Sequence, residues 1–116
     1  MIENVTISQL EEIATKYSLQ IHHWGWTTRF DLKIDSDGLL LARIDYSQAD
    51  DIIMNIQMPN SYMLSFRSDK MRYIMTEGWV TIQSLNDFEK HTKELIENFK
   101  KCLVEQRKDF LEKDFD

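Results

Sequence analysis

Two adjacent histidines, His22 and His23, stand beside Trp24, and imidazole is the side chain that both ligates metals and carries protons near neutral pH. In an extended segment neighbouring side chains leave opposite faces, so the pair is not expected to share one ion. His91 has Glu94 three residues after it and Glu89 two before, but the His-Glu-x-x-His spacing of a zinc helix is lacking. It reads as a surface histidine among charged neighbours. Nucleophilic catalysis needs a nucleophile, a base, an orienting group and donors for developing negative charge. Cys102, the single cysteine, falls beside Leu103 on the apolar side of a helical pattern and reads as a packed thiol.

Asp31, Asp35, Asp37 and Asp45 gather around one expected hairpin, and two carboxylates held close could act as acid and base or hold a cation. The run from Asp35 to Asp37 lacks the downstream glutamate of a calcium loop, so turn formation accounts for it better. Gly25, Gly38 and Gly78 are isolated and form no phosphate-cradling or dinucleotide-binding spacing. Enzymes that use ATP, GTP or NAD are disfavoured. No catalytic set, cofactor or metal site is expected.

Fourteen Lys and Arg against twenty Asp and Glu give a net charge of −6, whereas proteins that grip phosphate backbones concentrate positive charge on one face. Trp24, Trp26 and Phe30 lack the interleaved basic residues of a base-stacking platform. Nucleic acid is not an expected partner. No stretch approaches the roughly 18 apolar residues of a membrane span, and Met1 to Leu19 does not have the pattern of a standard export signal. With one cysteine, the chain suits a reducing compartment and is expected to be cytoplasmic.

At 116 residues with 42% apolar and 29% charged side chains, the chain has the size and composition of one domain that buries its own core. A single α+β domain over residues 1–116 is expected. Thr6 with Gln9 and Ser8 with Glu11 have capping-box spacing, and Leu10, Ile13, Ala14 and Tyr17 follow at helical steps. The helix should end near Ser18. The period then changes to two over Trp24, Trp26, Thr28, Phe30, Leu32 and Ile34, which predicts one long strand.

Asp35 to Gly38 should turn the chain into a second strand carrying Leu40, Ala42, Ile44 and Tyr46 on one face. A turn at Ser47 to Asp50 leads to Ile52, Met54, Ile56 and Met58, with Pro59 and Asn60 expected to stop that strand. Tyr62, Leu64 and Phe66 form a fourth alternating set and Met71, Tyr73 and Met75 a fifth, with a turn at Ser68 to Lys70 between them. A turn at Glu77 to Gly78 then precedes a short sixth set, Val80 and Ile82. Ser84 with Asp87 caps a helix of about residues 85–112, whose apolar stripe runs through Leu85, Phe88, Leu95, Ile96, Phe99, Leu103 and Phe110. Glu89, Lys93, Glu97 and Lys101 should form ion pairs along its solvated side.

The expected architecture is an N-terminal helix, a five- or six-stranded antiparallel meander and a long C-terminal helix packed on the sheet. Profilin-like and helix-grip domains resemble it in element order alone. Leu39, Leu41, Ile53, Met63 and Trp79 occupy the phase opposite to the main apolar face of their strands. If both helices cover the inward face, these five are expected to form a partner-binding patch. That points to a non-enzymatic protein-binding module, such as a small inhibitor, an immunity protein or an accessory subunit. The alternative is a helix-grip-like pocket for an apolar small molecule, lined by Met54, Met58, Tyr62, Tyr73 and Phe99. Homodimerisation through the second sheet face or an edge strand fits either reading.

Overall fold

The computed structural model describes residues 2, 5–23, 29–34, 38–47, 52–66 and 72–114. The N-terminal helix α1 (Ile7–Lys16) opens with the capping box expected at Thr6 and Gln9, and buries Leu10, Ile13 and Ala14. Its end is a Schellman turn: the Ser18 N–H donates to the Thr15 carbonyl and the Leu19 N–H to the Ala14 carbonyl. Ser18 takes φ 57° to make that turn, in the left-handed region where glycine is the usual occupant.

Five strands follow: β1 (Gln20–His23), β2 (Arg29–Lys33), β3 (Leu40–Ser47), β4 (Ile52–Phe66) and β5 (Arg72–Thr81). They form one antiparallel sheet in the order β1-β2-β3-β4-β5. The long helix α2 (Leu85–Asp114) completes the chain, with the Ser84 hydroxyl accepting from the Asp87 N–H at its start. The molecule is therefore an α+β fold whose C-terminal helix packs on β4 and β5.

Several strands differ from the expectation, each for a physical reason. His23 pairs with Phe30 across an antiparallel ladder, so the chain reverses within the segment read as one strand from Trp24 to Ile34. Trp24, Gly25, Trp26 and Thr28 lie outside the described residues, as do Asp35, Asp37, Gln48 to Asp50, Ser68 to Lys70 and Met71. The β2–β3 connection is closed by the Ile34 N–H donating to the Leu39 carbonyl, with Gly38 at φ 88°.

Pro59 and Asn60 do not end a strand; β4 runs straight through them. The Pro59 carbonyl lies 2.6 Å from His91 Nε2 on α2. N–H and C=O of one residue leave an antiparallel strand on the same edge, so the donor that proline lacks is not needed by β5. Glu77 and Gly78 do not form a turn either. β5 is continuous, and Gly78 takes φ 65° where the ladder skips one pair, between Pro59–Trp79 and Ser61–Glu77, and the register resumes unshifted beyond it.

β4 is the strand on which the sheet is built. Its first half pairs with β3 through Gln57, and its second half pairs with β5 from Gln57 onward. The two partners overlap at one residue, so each half has one edge without a neighbouring strand. On the first half the N-terminal segment and the residue after β5 fill that edge: Ile2 donates to the Ile53 carbonyl, Thr6 bridges to Ile52, and Ile82 donates to the Ile56 carbonyl. On the second half, side chains of α2 do so.

The pairing puts Phe30, Ile44 and Ile56 in one row, with Met58 and Val80 in the same phase. These side chains, with Leu32, Ala42 and Tyr62, join Leu10 and Ala14 of α1 and Phe88, Leu95 and Cys102 of α2 in one core. Both helices therefore cover the same face, and Lys16 and Tyr17 bind Glu89 across the helix pair at 2.7 and 3.0 Å. Glu89, expected to pair along its own helix, thus ties α2 to α1. The other face of the sheet carries no helix among the described residues.

Candidate functional site: the uncovered face of the sheet

Cross-strand partners point to the same side of a sheet, so the register defines what the uncovered face displays. Over β1, β2, β3 and β4 one row reads His22, Asp31, Arg43, Gln57, and the next reads Arg29, Asp45, Asn55. This half is polar and internally neutralised. Arg43 grips Asp31 through Nε and Nη2 at 3.1 and 3.4 Å, and Arg29 Nε holds Asp45 at 2.7 Å. The hydrogen bond and charge of Asp45 raise the pKa of Arg29 further. Asp31 is only 2% exposed, and a polar group that buried is satisfied by such hydrogen bonds.

Over the second half of β4 and β5 the rows change character. Trp79 lies across from Pro59, Glu77 from Ser61, Met75 from Met63 and Tyr73 from Ser65. Ser61 donates its hydroxyl to Glu77 at 3.1 Å. Trp79 is 53% exposed and Met63 38%, with Met75 and Tyr73 half-buried beside them. Large apolar side chains exposed together on a two-stranded ribbon are the feature that marks protein contact.

Behind this ribbon, α2 serves the edge of β4 that has no strand. Asn98 pairs its amide with both backbone groups of Tyr62: Oδ1 accepts from the N–H, and Nδ2 donates to the carbonyl at 3.2 Å. The Cys102 thiol reaches the same carbonyl at 3.6 Å. Burial, with Glu105 nearby, pushes that thiol's pKa up and keeps it a protonated donor, away from nucleophilic chemistry. His91, Asn98 and Cys102 stand seven and four residues apart, one stripe of the helix. Tyr62 in turn donates its hydroxyl to the Leu40 carbonyl at 2.6 Å and meets the Phe99 ring edge-on.

The five residues expected to form the patch are divided by this geometry. Met63 and Trp79 lie on the uncovered face. Leu41 and Ile53 are 0% exposed and belong to the core, while Leu39 packs partly buried against it. Two β-bulges explain the change. Leu41 is an extra residue between the Leu32–Ala42 and Lys33–Leu40 pairs, and Met54 is extra between Asn55–Asp45 and Ile53–Tyr46. An extra residue reverses the phase of the strand beyond it, which turns Ile53 inward.

The five residues expected to line a pocket are not gathered either. Met58, Tyr62 and Phe99 pack together under α2, Met54 is 50% exposed on its bulge, and Tyr73 points to the uncovered face. Among the described residues, open surface hollows lie elsewhere, along α2 at Lys100, Lys101, Val104, Glu105 and Lys108 and on α1 at Ser8, Glu11, Glu12 and Thr15. Met75 and Tyr73 were missed as members of the patch because β5 was divided at Gly78. Read as one strand, residues 73, 75, 77 and 79 share a face.

His22 and His23 lie in an exposed strand; His23 stacks on Phe30 at 5.6 Å, and His22 sits across from Asp31. Among the described residues no group of three or more His, Cys, Asp or Glu is placed to hold a metal ion, and no helix is long and apolar enough to cross a membrane. Comparison with protein-family models, curated proteins and solved structures gives no match.

Proposed function

We propose that the chain is a non-enzymatic protein-binding module, of the kind found among small inhibitors, immunity proteins and accessory subunits, and that it acts through the uncovered face of the β4–β5 ribbon. The observation that carries this reading is the joint exposure of Trp79 and Met63 on a sheet face whose other side is covered by α2. Trp and Met are favoured at the desolvated centres of interfaces, where a large or adaptable side chain gains most from burial. The polar half of the same face suits a rim: its charges are already paired, so they add register and selectivity more than affinity.

Site-specific photocrosslinking in the cells that produce the protein tests the reading. A benzophenone side chain placed at residue 79 or 63 is expected to give the same protein adduct from both positions. One at Val104, which is exposed on α2, is expected to give none. Adducts from Val104 alone, or none from the ribbon, would overturn it.

A further inference from the structure

We infer that the partner on the ribbon face presents an arginine, whose guanidinium seats between the Glu77 carboxylate and the Trp79 ring; this rests on the binding reading above and names the chemistry of its partner. Among the described residues the uncovered face holds the carboxylates of Asp31, Asp45 and Glu77. Two of them are closed by a cross-strand arginine, Asp31 by Arg43 and Asp45 by Arg29. Glu77 is exposed, and its contact is a neutral one, the Ser61 hydroxyl donating to Oε2 at 3.1 Å. Among the described residues no basic side chain pairs with it.

Position makes this open carboxylate informative. β5 puts Met75, Glu77 and Trp79 in one phase, with Met63 across from Met75 and Ser61 across from Glu77. Glu77 thus stands between the methionine pair and the tryptophan, and a protein that buries Met63 and Trp79 also takes Glu77 out of water. A carboxylate desolvated without a cation is strongly unfavourable, so the partner must bring one. Arginine suits the place better than lysine, because its planar fork bonds a carboxylate while its flat face stacks on an aromatic ring. Residues two apart on one strand face stand about 7 Å from each other, and a cation gains from a ring within about 6 Å of its centroid. One guanidinium reaches both. The net charge of −6 steers a basic partner in and disfavours an acidic one.

Titration of the full chain with N-acetyl-arginine amide, followed by NMR at the Trp79 indole N–H, tests the inference. N-acetyl-citrulline amide, of similar shape and no charge, is the comparison, and Trp79→Phe assigns the signal. The arginine amide is expected to shift the indole at concentrations roughly tenfold lower than the citrulline amide does. Glu77→Gln, which keeps an oxygen for Ser61, is expected to bring the arginine response down to the citrulline level. Glu97→Gln, which removes an exposed carboxylate from α2, is expected to leave it unchanged. Equal responses to the two amides, a response kept in Glu77→Gln, or one lost equally in Glu97→Gln overturns the inference; the comparison of amides needs no variant to fold. Photocrosslinking from residue 79 separates this inference from the binding reading. A wild-type adduct that Glu77→Gln reduces about tenfold supports both. An adduct that Glu77→Gln leaves unchanged removes the arginine anchor alone, and the absence of any adduct removes the binding reading with it.

Discussion

The two halves of β4 solve the same problem by different means. In the first half, Ile52 to Gln57, backbone groups find strands or strand-like segments on both edges, and α1 seals the inner face with aliphatic side chains. In the second half, Pro59 to Phe66, one edge has β5 and the other has individual side chains of α2: His91, Asn98 and Cys102. The first half is held by cooperative ladder and core, the second by a few named contacts. A ribbon held that way has its inner side fixed and its outer side, with Met63 and Trp79, free for contact. Under the proposed function the difference also separates stability from binding, with residues of like chemistry serving core in one half and contact surface in the other.

Ile53→Asp should break the comparison most severely. It places a carboxylate at a position that is 0% exposed, with an expected loss of more than about 4 kcal/mol, a large part of a domain's stability. Denaturant titration should find the variant largely unfolded, whereas Met63→Asp in the other half keeps its fold.

Asn98→Ala should cost about 2 to 3 kcal/mol, because it leaves the N–H and C=O of Tyr62 without their side-chain partner on a covered edge. Hydrogen exchange is the sharper reading: protection should fall at Tyr62 and its neighbours while Ile44 and Ile56 keep theirs. Asn98→Asp, which can accept from the N–H but not donate to the carbonyl, should fall between the two. Uniform loss across both halves would mean that they are one cooperative unit.

Gly78→Ala should cost about 1 to 2 kcal/mol, since φ 65° is costly for a residue with a side chain. The added Cβ would also come within 3.3 Å of the Asn60 Cβ. The loss should appear in thermal melting and be confined to the ribbon in exchange.

The smallest effect is expected at the joint between α1 and α2. The hydrogen bond from Lys16, then that from Tyr17, holds the Glu89 carboxyl below the ordinary glutamate range. A depressed folded-state pKa means stability that is fully present above the unfolded value, about 4.3, and lost as pH falls through the lower folded value. Glu89→Gln should therefore flatten the acid limb of the stability curve in that window and change little at neutral pH, read by melting at a series of pH values. Lys16 is exposed and Glu89 partly so, and such a pair contributes modestly.

Much of the fold was legible because its signals are local. Thr6 with Gln9 and Ser84 with Asp87 marked helix starts, and the spacing of Phe88 and Leu95 marked the covered face of α2. Failures came where one residue type has two meanings. Gly78 and Pro59 read as strand ends, yet glycine also permits a positive φ inside a strand, and proline is tolerated where its carbonyl turns to a helix. The phases of Leu41 and Ile53 were misread because a bulge is one extra residue set by pairing with a distant strand. No period within β3 or β4 discloses it. For the candidate site, Met63 and Trp79 were visible from phase alone. Met75 and Tyr73 needed the continuity of β5, and Asn98 gave no signal because its partner is backbone thirty-six residues away.

Methionine oxidation by dilute peroxide, followed residue by residue by mass spectrometry, tests the central claim that one side of the β4–β5 ribbon is sealed and the other open. Met54 and Met63 should oxidise rapidly in dilute protein and Met58, 0% exposed, slowly. Oxidation of Met58 at the rate of Met63, or protection of Met63, would contradict it.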